Sequence, residues 1–236
     1  MSIHLTLLCA PGGDATLDPL LGDAPLSDTG LLLAGAARAV LSADARAVRT
    51  PSTRCSQTAD AIGLASVAEP MLRDLDVGEW RGRTVGDVAA TDPDGFSAWL
   101  TDPDAAPHGG ESVRRLCRRA GDWLSGLAPD TGHVVAIAEA AVVRAALIRA
   151  LGLPARNFWH LAVPPLSTVL LTRRDGCWDV RFGQGSRWEA PRRLLPRRPA
   201  AVRQDDGTER RPSGAAPSWP VAQFPAPLRG ANPLRA

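Results

Sequence analysis

Ile3-His4-Leu5-Thr6-Leu7-Leu8-Cys9-Ala10-Pro11-Gly12-Gly13 opens with a short apolar run of strand formers and closes in a Pro-Gly-Gly loop. Such a run reads as a buried central strand, and the loop behind it is a common place for a site. Outward from it, Leu26-Ser27-Asp28-Thr29-Gly30 opens a run of helical spacing from Leu31 to Leu41, with Ser27 or Asp28 able to cap its first turn. Ala45 to Thr50 reads as a second strand, and Pro51-Ser52 leads into a helix through Leu64. Asp92-Pro93 and Asp102-Pro103 break the middle of the chain into short helices and loops, and Glu111 to Leu127 returns to helical period. His133 to Ala138 is a near-continuous apolar strand, followed by a helix from Ala140 to Leu151 that Gly152 and Pro154 stop. Ser167 to Thr172 and Trp178 to Phe182 flank Asp175-Gly176 as a hairpin would. Strands alternating with helices predict an α/β fold: a three-layer sandwich with a mostly parallel central sheet flanked by helices.

With 236 residues and 44% hydrophobic content, the chain is long enough for one sizeable core and some excess. The excess is placed at 190–236, where Pro, Ala and Arg dominate and no period survives, so a domain over 1–189 with a disordered tail is expected. All 27 basic residues are Arg; nine of them lie in the tail against three acids, giving it +6 and leaving −4 for the rest of a chain whose net charge is +2. Arg192-Arg193, Arg197-Arg198 and Arg210-Arg211 are read as solvated rather than as a nucleic-acid patch. No stretch reaches ~18 apolar residues and Met1 to Cys9 has neither a basic leader nor a cleavage site, so a soluble cytoplasmic protein is expected. Cys9, Cys55, Cys117 and Cys177 show no ligand spacing, which predicts reduced thiols, no metal and no cofactor.

Six segments, in order, carry a resemblance to a known family. They are Leu5 to Pro11; Leu26-Ser27-Asp28-Thr29-Gly30; Thr50-Pro51-Ser52-Thr53-Arg54-Cys55-Ser56-Gln57-Thr58-Ala59; Leu72 to Asp76 with Gly78-Glu79-Trp80-Arg81-Gly82; His108-Gly109-Gly110-Glu111-Ser112; and Val134 to Arg144. Together they resemble the histidine phosphatase (phosphoglycerate mutase-like) superfamily over roughly Ile3 to Phe182, which implies that family's phosphoglycerate mutase-like fold. In the family, a histidine after the first strand attacks the phosphoryl group. Two arginines and a second histidine hold its oxygens, and a carboxylate acts as general acid. The resemblance puts Cys9 at the first arginine, Ala10 at the nucleophile and Glu139 at the second histidine. Arg54 and Asp74 stay at the second arginine and the acid.

These departures change the chemistry. Phosphoryl transfer is mostly positioning and stabilisation of negative charge, so losing an arginine and gaining a carboxylate should repel phosphate monoesters. His4 and His133 each lie six residues before a lost position, roughly 20 Å away along a strand, and cannot substitute. His160 reads as a boundary histidine; His108, in a loop that comes near the pocket in the family, is the one worth testing. Asp74 and Glu139 are the candidates for catalysis, while Arg54, Cys9, Ala10, His108 and Glu111 are the candidates for binding. For Asp74 and Glu139, cation binding, acid–base work and a salt bridge to Arg54 all stay open. Carboxylates around Cys9 should raise its pKa and leave it inert. Glu111 reads as a first-turn carboxylate favoured by the helix dipole, and Trp80 and Trp99 as core or rim aromatics. The leading expectation is a pseudoenzyme that acts by binding an unidentified small molecule or protein. The alternative is a repurposed enzyme acting on a neutral or cationic substrate; an ordinary phosphatase comes third.

Overall fold

The structure is a computed structural model, and it describes residues 3–12, 20–37, 45–128 and 131–183. The chain divides into two units, Met1–Arg187 and Trp188–Ala236, and the second, with the predicted tail, lies outside the described residues. The parallel part of the sheet comes from β1 (Ile3–Cys9), β2 (Arg46–Arg49), β3 (Ser66–Ala68) and β4 (His133–Ala138). A hairpin of β5 (Thr168–Arg174) and β6 (Cys177–Phe182) completes it in the order β3-β2-β4-β1-β5-β6. The pairs β3–β2, β2–β4 and β4–β1 are parallel, whereas β5 runs antiparallel to both β1 and β6. The sheet is therefore mixed, parallel over four of its six strands.

Helices cover the sheet because its strands bury both faces, as the near-continuous apolar runs of β1 and β4 require. On one face Leu8, Ala10 and Ile137 pack with Ala34 and Ala37 of the α1 segment (α1, Asp28–Ala36) and with Cys55, Ala59 and Ile62 of α2 (Thr53–Ile62). On the other lies α6 (Ala140–Ala150), against β1 and against α5 (Val113–Gly126). The broken middle region forms α3 (Val85–Thr91) and α4 (Pro93–Thr101), N-capped by Thr84 and Asp92. Ser27 caps α1, its Oγ accepting from Gly30 N at 3.2 Å; the predicted continuation towards Leu41 leaves the described residues after position 37. Among the described residues, no helix is long and apolar enough to cross a membrane.

Candidate active site

The four parallel strands end on one edge of the sheet, where open α/β sheets bind ligands. Chain segments are tied together there by short hydrogen bonds. Ala10 N donates to Ala138 O at 2.8 Å, Thr50 N to Ile137 O at 2.9 Å, and Thr50 Oγ1 to Leu72 O at 2.9 Å. These ties place Cys9 at the end of β1 and Ala10 just after it, Arg54 in the first turn of α2, Asp74 after the short helical turn Pro70–Leu72, and Glu139 at the N-cap of α6. The Glu139 side chain makes no capping hydrogen bond. His4 and His133 are paired at the opposite ends of β1 and β4, as their spacing required, and exposed His160 ends the turn Ala155–His160.

Cys9, Arg54, Asp74 and Glu139 interact electrostatically as one set. Burial pushes the Cys9 thiol up to about 12; Glu139 and Asp74 add to the rise, and Arg144 and Arg54 oppose it. The Cys9 thiol is raised as expected, but burial is the main cause and the carboxylates are secondary. Asp74 is raised to about 7, first by burial and then by Glu139, against a backbone bond from Leu75 and the charges of Arg54 and Arg119. Three polar atoms in the set, Arg54 Nε, Asp74 Oδ1 and Glu139 Oε2, are enclosed and have no hydrogen-bond partner among the described residues. The salt bridge considered for Arg54 is not formed: among the described residues, no ion pair joins it to Asp74 or Glu139. A cavity of about 340 Å³, lined by Arg46, Val48, Glu69, Asp122 and Trp123 among others, shares no residue with this set.

Three further residues shape the site. Asp23 accepts from Thr53 N at 2.8 Å and Arg54 N at 3.4 Å, so a carboxylate of the chain itself occupies the amide-rich start of α2. Partial burial opposes its ionisation, yet these bonds and the Arg54 charge hold it below the ordinary carboxylate range. Arg144 is buried beside Cys9 and Asp74; it donates Nε to Leu161 O at 2.8 Å and lies 5.8 Å from the ring centroids of both Phe158 and Trp159. Arg119 donates to the Met71 and Arg73 carbonyls at 2.8 Å each and to Asp74 O at 3.5 Å, fixing the backbone that carries Asp74. Arg144 stood in the resemblance without a role, whereas Asp23 and Arg119 act across sequence separations that no local pattern reveals.

His108 and Glu111 enter other networks. Glu111 is not a first-turn residue: Ser112 caps α5, and the buried Glu111 carboxylate pairs with Arg119, through Oε1 at 3.0 Å and Oε2 at 2.6 Å. The helix dipole is outweighed because a buried carboxylate needs a counter-charge. His108 is buried with its ring centroid 5.1 Å from that of Trp80 and 6.0 Å from that of Trp99, and its Nδ1 accepts from Gly110 N at 3.0 Å. Burial lowers its pKa against the pull of Asp76, so the ring is neutral at physiological pH. The glycines beside it permit a close crossing of two backbones. A Cβ on Gly78 (φ +46°) would stand 2.0 Å from His108 O, and one on Gly110 would stand 2.1 Å from Asp76 O.

Known proteins share this fold. The sequence profile of the histidine phosphatase superfamily (branch 1) matches residues 21–184, beginning beyond the strand and turn that carry Cys9 and Ala10. Glucosyl-3-phosphoglycerate phosphatase of Mycolicibacterium vanbaalenii is 33% identical over 154 residues, which cover 56% of this chain and 67% of that protein. Adenosylcobalamin/alpha-ribazole phosphatase of Salmonella typhimurium is 28% identical over 114 residues, covering 47% of this chain; the chain spans about half, 52%, of that relative's length. The solved structure of a mycobacterial glucosyl-3-phosphoglycerate phosphatase matches with a TM-score of 0.66 at 25% identity, over 79% of this chain and all of that one. A putative alpha-ribazole-5'-P phosphatase from Escherichia coli, 21% identical with a TM-score of 0.68 over 76% of this chain and 95% of that one, has the same fold. Matched by the profile over more than half its length, the chain belongs to the histidine phosphatase superfamily.

Proposed function

We propose that this protein has lost the phosphohistidine chemistry of its family and acts by binding. One observation carries the reading: the residue that follows β1 on the ligand-binding edge is Ala10, which has no nucleophilic atom, and the loop of β4 beside it brings a buried carboxylate, Glu139. Among the described residues, no nearby group replaces the nucleophile. Cys9 stays a thiol, and His108 is held in its aromatic cluster, with Asp76 as its charged neighbour. The charge of the site also opposes a phosphoryl group. At an effective dielectric near 20, a carboxylate ~4 Å from a phosphate oxygen costs about 4 kcal/mol before relaxation, and Asp23 already sits on the first amides of α2.

Purified protein should therefore form no acid-labile phosphoenzyme and hydrolyse p-nitrophenyl phosphate only at the uncatalysed rate. Turnover that disappears on Arg54→Ala would overturn the reading. A second reading, a repurposed enzyme in which Asp74 and Glu139 serve as acid and base on a neutral or cationic substrate, is favoured by the near-neutral titration of Asp74. Its pH–rate profile would turn near pH 7 and vanish in Asp74→Asn.

A further inference from the structure

Buried polar groups are nearly always hydrogen-bonded, so a group of enclosed atoms without partners needs an explanation. Three sit together here: Arg54 Nε, a donor, and Asp74 Oδ1 and Glu139 Oε2, both acceptors. They belong to different elements, the first turn of α2, the loop after Pro70–Leu72 and the start of α6, which converge on the carboxyl ends of the parallel strands. Glu139 is only 5% exposed. Of the neighbouring groups, Arg119 is committed to Glu111 and to backbone carbonyls and the Nε of Arg144 to Leu161 O, while Arg54 and Arg144 place positive charge beside Asp74.

We propose that this site binds a compact primary ammonium ligand with an oxygen acceptor beside the nitrogen, as in an amino alcohol. The proposal rests on the reading that the site no longer receives phosphate. An ammonium supplies N–H donors to Asp74 Oδ1 and Glu139 Oε2 at once, and the adjacent oxygen accepts from Arg54 Nε. The three orphaned atoms need that combination of two donors and one acceptor. An inorganic phosphate ion would bring negative oxygens against both carboxylates, and a neutral diol would offer them hydroxyl donors without the positive charge that makes a hydrogen bond to a carboxylate strong. A metal ion is the poorer occupant, because among the described residues no group of three or more His, Cys, Asp or Glu side chains could hold one.

The test uses the full chain with ethanolamine, ethylene glycol and inorganic phosphate as probes, read by titration calorimetry and by melting temperature. Ethanolamine should bind at pH 8 and lose at least tenfold in affinity in Glu139→Gln, whose isosteric side chain keeps the shape of the site. In the wild type, affinity should also fall about tenfold from pH 8 to pH 6, as Asp74 takes up its proton. This second reading of the unaltered chain needs no variant to fold. No binding of ethanolamine, equal binding of ethylene glycol, or affinity unchanged both in Glu139→Gln and at pH 6 would each overturn the ligand class. If phosphate has no effect either, the loss of phosphohistidine chemistry still stands. Phosphate binding by the wild type would sink both readings.

Discussion

A single carboxyl group, Asp74, makes the site responsive to pH. Its ordinary value of 3.8 is raised in the folded protein to about 7 by burial and by Glu139. The protonated form is thus favoured on folding; its contribution to stability is complete below about pH 4 and is lost as the pH rises through 7. Asp74→Asn mimics the protonated form. Its advantage over the wild type should grow by about 1.4 kcal/mol per pH unit from roughly pH 4 to 7, to ~4 kcal/mol, and then level off. Guanidinium unfolding at several pH values measures this directly, and a difference that does not change with pH would show that Asp74 is not the group titrating. At this scale the sequence was informative wherever a residue stands at a fixed offset from a strand end. Cys9, Arg54, Asp74 and Glu139, singled out by their positions in the motifs, lie close enough to interact electrostatically. Asp23 and Arg119 were not legible, because each acts on backbone 30 or more residues away: Asp23 on Thr53, and Arg119 on Met71 and Arg73.

Secondary-structure elements hold the site by crossing closely. The ribbon after Asp74 passes under the His108–Gly110 loop, with Glu111 N donating to Asp76 O at 2.7 Å and Glu79 N to His108 O at 2.9 Å. Gly78 needs both a left-handed backbone and an empty Cβ position, so Gly78→Ala should cost roughly 2–5 kcal/mol from strain and overpacking. Gly126→Ala, at the end of α5 with nothing within 4 Å of the added atom, should be neutral or slightly stabilising. Urea midpoints of the two variants decide this, and equal midpoints would contradict the crossing. Elements with long apolar runs were legible: the predicted strand His133 to Ala138 is β4 itself, and the Asp175-Gly176 hairpin is β5–β6. The three-residue β3 was missed. Ser66–Ala68 has no alternation and is half-buried to exposed; its strand conformation comes from pairing with β2 at the sheet edge. Glu111 was misplaced for a related reason, since a pattern of helical period does not show that a buried arginine two turns on will claim the carboxylate.

Across the whole molecule, the family's fold is kept, and the proposed loss of its chemistry rests on the charge at the carboxyl ends of the parallel strands. That edge of the sheet gathers Arg54 and Arg144 with Asp74, Glu139 and the Asp23 carboxylate at the start of α2, and on the proposed reading this balance disfavours a phosphoryl dianion. Fold alone does not fix activity, and the phosphatases this chain resembles lend it their architecture before their chemistry. The most direct test of that claim restores the lost positive charge and asks whether anion binding returns. In Cys9→Arg with Glu139→His, vanadate at 100 Kd should stabilise the fold by about 2.7 kcal/mol, a rise of roughly 5–10 °C in melting temperature for a domain of this size, while the wild type should not respond. A wild type that vanadate stabilises as much as it does the double variant would contradict the account.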